Sequence, residues 1–286
     1  MNPTVPTLSF LLASVSTLPA ATIFGPSTDW TAIPGNYDFL SDQQTGAPAG
    51  DIVGAVTNPG LFTTFDDNGP ASQTDGFWGF RIRFDAAGGN TNNPAFDRVA
   101  WIGIDAGLSD ALDVFIAITN QGNTSKIGIH APGSSANTSP STTSINSTAW
   151  KSYDTTSSNF NYRPVDSQSD GGDNDDLTPS STGDPDYYLS FLIPFADLVD
   201  YMAGISIDID DESPLRFAVA TSTQINTLNQ DLGGVDGGIN SNLTWSELGG
   251  FTPWISATGQ VVPEPSTTLI SLGMLGGLLL RRRRGA

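Results

Sequence analysis

The chain has 286 residues, of which 30 are acidic and 11 are basic, and its formal net charge at pH 7 is −19. Such a surface repels nucleic acids, which excludes them as partners. The sequence contains no cysteine and one histidine, so it lacks the residues of a Cys-His nucleophile or of a zinc site built from cysteine and histidine.

The first predicted element is an export signal. Residues 8–18 form an apolar run, and Pro19, Ala20 and Ala21 supply small residues for cleavage. Residues 1–7 contain no lysine or arginine, which departs from the usual signal-peptide pattern. The alternative is a buried N-terminal strand. We predict a signal peptide at residues 1–21.

The strongest strand pattern begins at residue 77. Residues 77–84 alternate apolar side chains with Arg81 and Arg83, which predicts a strand with a polar outer face. Similar strands are predicted at residues 98–105, 111–119 and 126–131. Because short turns separate these segments, we expect all four strands to form one antiparallel meander.

A long polar segment follows at residues 132–185 and predicts a loop packed at a few aromatic side chains. Three of these aromatics, Trp150, Tyr153 and Tyr162, are candidates for stacking on sugar rings. The alternative is that they anchor the loop to the body of the protein.

Regular structure returns at residues 187–193, a predicted strand, and residues 195–202, whose apolar spacing predicts a helix. Further strands are predicted at residues 204–209, 215–221, 242–248 and 251–255, with edge strands at 22–24 and 51–57. The pattern predicts an all-β fold, a jelly-roll-like antiparallel β-sandwich with one short helix, a long polar loop and a C-terminal hydrophobic helix.

The acidic residues suggest that the protein binds calcium. Around two glycines in residues 166–176 lie the candidate ligands Asp170, Asp173, Asp175 and Asp176. Oxygen-rich flexible loops suit Ca²⁺, although the spacing is not that of an EF-hand. Asp38 and Asp42, with Asp51, form a second candidate group that ties the N-terminal loop to the body. The alternative for both groups is a solvated acidic loop.

Residues for catalysis are sparse. His130 alternates with Ile127 and Ile129 and is expected on a strand surface, and no GxSxG motif occurs. Paired aspartates could support glycoside hydrolysis, but abundant aspartates make such pairs uninformative. We therefore predict no enzyme activity and keep a glycoside hydrolase as a lesser alternative.

The C-terminal residues combine a short motif, an apolar run at residues 267–280 and a basic end. The motif residues are Pro263, Glu264, Pro265 and Ser266, and the basic residues are Arg281, Arg282, Arg283 and Arg284. The apolar run would form a helix of about 21 Å, short of the roughly 30 Å hydrocarbon core. Four arginines favour the cytoplasmic side of a membrane. The alternative is a permanent C-terminal anchor.

This layout resembles the PEP-CTERM sorting signal of Gram-negative bacteria. The resemblance implies that an exosortase removes the segment at the inner membrane, after which the protein reaches the cell surface or extracellular matrix. We expect the C-terminal helix to insert transiently into the inner membrane. We also expect exopolysaccharide to be a partner of the exported protein.

A second resemblance concerns residues 29–221, where FRIRF, WIGID and YYLSFLIPFADL are similar to DOMON and family-9 carbohydrate-binding-module sandwiches. It implies a sandwich fold and assigns no ligand residue. We thus predict a signal peptide (1–21), a β-sandwich (22–262) and a sorting signal (263–286). The expected function is a non-catalytic structural or binding role in the exopolysaccharide layer, and the alternative is a carbohydrate-binding module.

Overall fold

The computed structural model describes most of the chain between residues 23 and 263. The residues within that span that it does not describe are 24, 36, 39–41, 45–46, 68–71, 91–92, 120–124, 173 and 178–183. The predicted signal peptide and the predicted helix at 267–280 lie outside the described residues. No helix in the described part of the chain is both long and apolar enough to cross a bilayer.

The predicted all-β fold is confirmed, because two antiparallel sheets face each other across one core. The strands are β1 (Thr31–Ala32), β2 (Leu61–Asp66), β3 (Phe77–Phe84), β4 (Gly88–Asn90), β5 (Asn93–Ala95), β6 (Val99–Asp105), β7 (Val114–Thr119), β8 (Lys126–His130), β9 (Lys151–Asp154), β10 (Phe160–Pro164), β11 (Tyr187–Pro194), β12 (Arg216–Ser222) and β13 (Asp231–Leu232). The helices are α1 (Phe195–Gly204) and α2 (Trp245–Leu248).

The five-stranded sheet has the order β1-β2-β3-β11-β10, and the six-stranded sheet has the order β13-β12-β6-β7-β8-β9. Strands β4 and β5 form a separate hairpin. The alternation predicted for β3 places Trp78, Phe80 and Ile82 in the core, where they are fully buried. Each such side chain contributes about 1.5–3 kcal/mol through the apolar surface that it removes from water.

The predicted four-stranded meander is wrong for β3, which pairs with β2 and β11 in the opposite sheet. Strands β6, β7 and β8 do form a meander, and β9 extends it. Local alternation could not reveal this difference, because the partner β11 lies about a hundred residues away in sequence.

The predicted long polar loop at residues 132–185 is also interrupted by structure. Strand β9 closes the edge of the six-stranded sheet and β10 closes the edge of the five-stranded sheet, so this segment crosses between the two layers. Both are edge strands with polar residues; β9 is largely exposed and β10 is half-buried, which explains why the sequence pattern did not reveal them.

Several predicted strands near the C-terminus take other forms. Residues 205–209 continue from α1 as a turn and an irregular segment, and residues 251–255 contribute an isolated bridge at Ile255. The predicted edge strand at 51–57 is likewise reduced to a bridge between Ile52 and Phe84. Residues 245–248 are helical, because Thr244 and Glu247 form a capping box.

The outer face of the five-stranded sheet is buried rather than solvated. Arg81 and Arg83, predicted to face outward, are fully buried beneath the N-terminal segment and the segment that leads into β11. The guanidinium of Arg81 lies 4.4 Å from the ring centroid of Trp30 and donates to the carbonyl oxygen of Gly25. A second, polar layer therefore covers this sheet.

Candidate functional site

A group of aspartates meets where the N-terminal loop contacts the edge strand β13. We call Asp38, Asp42, Asp51 and Asp231 the aspartate cluster. Ligand oxygens of Asp42, Asp51 and Asp231 lie within 4.8 Å of one another, and Asp38 and Asp42 form a second such group with Asp236. Asp42 belongs to both groups and therefore links them.

Backbone geometry holds the aspartate cluster in place. Asp231 Oδ2 accepts a hydrogen bond from the Ile52 N–H at 2.6 Å, and its Oδ1 accepts from the Leu232 N–H at 2.9 Å. Asp38 Oδ2 accepts from the Gly234 N–H at 3.0 Å. The bonds to Ile52 and Gly234 join segments almost 200 residues apart in sequence, so the cluster fastens the N-terminal loop to β13 and the turn that follows it.

Burial makes the aspartate cluster electrostatically unusual. Asp38, Asp51 and Asp231 are 3%, 0% and 1% exposed. Burial raises the pKa of the Asp231 carboxyl well above its ordinary value, and the neighbouring carboxylates of Asp38, Asp51 and Asp42 raise it further. The sequence predicts the grouping of Asp38, Asp42 and Asp51 but not of Asp231, because no local pattern links Asp231 to them.

A second group contains Asp85, Asp176 and Asp186, whose ligand oxygens also lie within 4.8 Å of one another. Here a base is present: Arg83 Nε donates to Asp186 Oδ2 at 2.6 Å, and both side chains are fully buried. Burial raises the pKa of Asp186 to about 6, although Arg83 acts in the opposite direction. This group therefore combines three acids with one buried base.

The residues proposed for calcium in the 166–176 loop are separated in the structure. Asp170 receives both terminal nitrogens of Arg163, at 2.6 and 2.8 Å, and the Ser27 N–H at 2.9 Å. Burial acts to raise the pKa of Asp170, but Arg163 outweighs it and the pKa lies below its ordinary value. Its carboxylate therefore anchors the N-terminal segment.

Of the other loop candidates, Asp176 belongs to the group with Asp85 and Asp186, whereas Asp173 lies outside the described residues. Asp175 contributes its carbonyl oxygen, which accepts the Asp186 N–H at 2.7 Å. The three described candidates, Asp170, Asp175 and Asp176, do not form one carboxylate group among the described residues.

The aromatic candidates take three different positions. Trp150 is 49% exposed and packs edge-on against Tyr201. Tyr162 stacks on Tyr187 with ring centroids 5.1 Å apart and is anchored by that contact. Tyr153 donates its hydroxyl to Asp197 at 2.6 Å and lines a surface groove.

This groove has a volume of about 450 Å³. It lies at one end of the five-stranded sheet, where β2, β3 and β11 meet the edge strand β9. Besides Tyr153 it is lined by Phe77, which is 46% exposed, and by the polar side chains of Asp66 and Asn159. Its size is within the range of small-ligand sites. Phe77 was not among the predicted ligand-binding residues, because the alternation in residues 77–84 identifies only the buried face of the strand.

His130 is buried, although it was expected on a strand surface. Its Nδ1 lies 2.9 Å from the Asn146 carbonyl oxygen, and its ring packs edge-on against Trp101. Burial lowers the pKa of the imidazole, while the contact with Asn146 acts in the opposite direction. The cause is a second apolar cluster on the outer face of the six-stranded sheet, which covers that face.

The sandwich ends where the C-terminal motif begins. Val262 donates its N–H to the Trp254 carbonyl oxygen at 2.8 Å, and Val261 forms a bridge with Ile255. Of the motif residues, Pro263 is described and Glu264 to Ser266 are not, nor are the four terminal arginines.

Comparison with protein families finds a PEP-CTERM protein-sorting motif at residues 261–284. Comparison with curated proteins and with solved structures finds no match. The motif confirms the predicted sorting signal and supports an exported protein that is processed by an exosortase. The resemblance of the body to DOMON and family-9 carbohydrate-binding modules stays a prediction.

Proposed function

We propose that this chain is a non-catalytic cell-surface or extracellular-matrix protein with a structural or binding role in the exopolysaccharide layer. It crosses the inner membrane as an intermediate, and an exosortase releases it. The observation that carries the proposal is the sorting motif at residues 261–284.

The position of the motif relative to the fold supports this proposal. Among the described residues, the last backbone hydrogen bond to the sandwich is made by Val262, so processing after Pro263 removes no strand and no buried side chain of the described fold. A segment that can be removed without unfolding the sandwich is better explained as a sorting signal than as a structural element of the fold.

Two observations favour binding over hydrolysis. In the described part of the chain, Asp66 is the acid that lines the groove, whereas glycoside hydrolysis uses a pair of carboxyl groups. The close carboxylate groups, by contrast, are largely buried at the junctions of loops with the sandwich. A groove with one acid and two aromatic rings is better suited to holding a ligand than to cleaving it.

The sorting proposal is tested by locating the protein in cell fractions. In a variant with Pro263→Ala, Glu264→Ala and Pro265→Ala, we expect the chain to stay with the membranes, while the wild-type chain reaches the surface or the medium. Thr268→Ala, an uncharged change next to the motif, serves as the control. Equal release of the triple variant and the wild type would overturn the proposal.

The second candidate function is carbohydrate binding at the groove, which the exposed ring of Phe77 and the half-buried ring of Tyr153 favour. Aromatic faces pack against the apolar faces of sugar rings while neighbouring polar groups bond the hydroxyls. We expect polysaccharide in an electrophoresis gel to slow the wild-type chain, and Phe77→Ala to remove the retardation.

The control for this test is Leu243→Ala, which removes a side chain that is 50% exposed and lies outside the groove. It should leave the retardation unchanged. If a panel of soluble polysaccharides retards neither the wild type nor the control, carbohydrate binding is excluded as a function of the groove.

A further inference from the structure

We propose that the groove binds an amino sugar, a sugar that carries a protonated amino group, in preference to neutral and acidic sugars. The inference rests on the proposed carbohydrate binding at the groove and names the class of sugar that the groove selects. Two features support it: a carboxylate lies beside the exposed aromatic ring, and no basic side chain is among the described residues that line the groove.

Strand pairing places this carboxylate beside the ring. Asp66 on β2 is the register partner of Phe77 on β3, and the partner of Phe77 on β11 is Pro194. Side chains that face each other across a strand pair have Cβ atoms about 4.5–5.5 Å apart. Because Phe77 is 46% exposed, a cation can approach its ring from solvent. A cation in that position would lie within reach of the Asp66 carboxylate.

The floor of the groove is apolar, so its charge lies at the rim. Two residues further along the strand, Gly79 lies between Thr64 and Leu192 in the register of the sheet. A Cβ on Gly79 would lie 2.4 Å from a methyl carbon of Leu192 and 2.7 Å from the methyl carbon of Thr64, so these side chains close over the glycine. The carbon framework of a sugar can pack on this floor while a charged substituent reaches the rim.

The rim of the groove is acidic. Asp66 is the one charged residue among the described residues that line the groove. Residues 60–80 and 204–215 contain acids but no lysine or arginine, and the Asp211 N–H donates to a carbonyl oxygen of the β2–β3 connection at 2.9 Å. Burial raises the pKa of the Asp211 carboxyl, and neighbouring acids, Asp67 among them, raise it further. Negative charge is therefore concentrated at this end of the sheet.

The basic side chains of the described residues are engaged elsewhere. Six of the seven lysines and arginines form ion pairs, and the seventh, Arg81, is buried and donates to Ser190 and to main-chain oxygens. Lys151 shares a partner with a lining residue, because Lys151 and the hydroxyl of Tyr153 bind the two oxygens of the Asp197 carboxylate. The charge of Lys151 is thereby paired outside the groove.

A protonated amine is the group that these features select. Its charge pairs with a carboxylate, and an aromatic face attracts a cation. The chain as a whole carries a net charge of −19, which attracts cationic ligands and repels acidic polysaccharides. A neutral sugar would gain only packing and hydrogen bonds, so the amino group should decide between otherwise similar sugars.

The test compares short oligomers of glucosamine with the same oligomers after N-acetylation, by isothermal titration of the full-length chain at pH 6 and physiological salt. Acetylation removes the charge and keeps the sugar ring. The free-amine oligomer should bind about tenfold more tightly than the acetylated oligomer. An oligomer of galacturonic acid should bind more weakly than either.

Two substitutions should each reduce the preference for the free amine to about threefold or less. Asp66→Asn removes the charge at the rim, and Phe77→Leu keeps an apolar side chain but removes the ring. Asp66→Asn should bind the acetylated oligomer as tightly as the wild type does, which shows that the groove is intact. Asp236→Asn is the matched control, since Asp236 is exposed in the turn after β13 and does not line the groove. It should keep the whole preference.

Equal binding of the two oligomers by the wild type would overturn the choice of an amino sugar and leave carbohydrate binding at the groove standing. Binding of neither oligomer would also overturn it, and if no polysaccharide of the wider panel binds, the proposed function of the groove is excluded as well. The inference is further overturned if Asp66→Asn keeps the preference, or if Asp236→Asn loses as much of it as Asp66→Asn.

Discussion

The buried pair of Arg83 and Asp186 predicts a stability change that depends on pH. We consider Arg83→Met, which keeps an apolar stem of similar length but removes the guanidinium. Arg83 donates to the Asp186 carboxylate at 2.6 Å and to the Asn174 carbonyl oxygen, and both side chains of the pair are fully buried. The variant leaves Asp186 beside Asp85 and Asp176 without a base.

The size of the effect follows from the pKa of Asp186, which burial raises to about 6. At pH 7.5 the carboxylate lies about 1.5 pH units above that value, which corresponds to about 2 kcal/mol in favour of ionisation. Without Arg83 the carboxyl must instead take up a proton. The lost hydrogen bonds of the guanidinium add about 1–3 kcal/mol, so we expect a total loss of about 3–5 kcal/mol.

At pH 5 most of the electrostatic part of the stability loss caused by Arg83→Met should disappear. A folded pKa above the unfolded value means that the folded state binds the proton more tightly, so the contribution of Asp186 to stability falls as pH rises through about 6. At pH 5 the carboxyl is protonated in both chains. The loss caused by Arg83→Met should therefore shrink by about 2 kcal/mol.

The assay is urea denaturation of both chains at pH 7.5 and pH 5. Lys126→Met provides the control, because Lys126 and Asp154 form an exposed pair that should contribute little to stability. A loss below about 1 kcal/mol for Arg83→Met, or an equal loss at the two pH values, would refute the reasoning.

Three further substitutions test the packing. Gly79→Ala would place a Cβ 2.4 Å from a methyl carbon of Leu192, so thermal denaturation should show a loss of about 1–3 kcal/mol; an unchanged melting temperature would contradict this. Arg216→Lys cannot keep both the bond to Asp105 and the contacts with two aromatic rings, so a similar loss is expected in urea, and an equally stable variant would argue against the network. Thr244→Ala removes a helix cap and should cost about 0.5–2 kcal/mol by the same assay, with no change as the opposing result.

Local patterns in the sequence were enough to predict elements that form the core of the fold. The alternation in residues 77–84 and the spacing in residues 195–202 identify β3 and α1, because each places apolar side chains on one face at the correct period. The capping box of Thr244 and Glu247 was also readable in the sequence and was missed.

Burial of polar side chains was beyond the reach of local patterns. Arg81 and Arg83 follow the alternation of a solvated face, yet the N-terminal segment and the segment that leads into β11 cover them. The aspartate cluster shows the same limit, since the Asp231 carboxylate accepts the N–H of Ile52, 179 residues away. Which acids meet depends on strand pairing between distant segments, so only part of the cluster could be predicted.

The claim that the C-terminal segment is a removable sorting signal is tested most directly by mass spectrometry of the exported protein. After fractionation of cells that produce the native chain, the surface or medium form should lack the peptides that contain Arg281 to Arg284 and should end within the matched motif. The membrane-bound form should still carry them. Exported protein with the four terminal arginines intact would contradict the account.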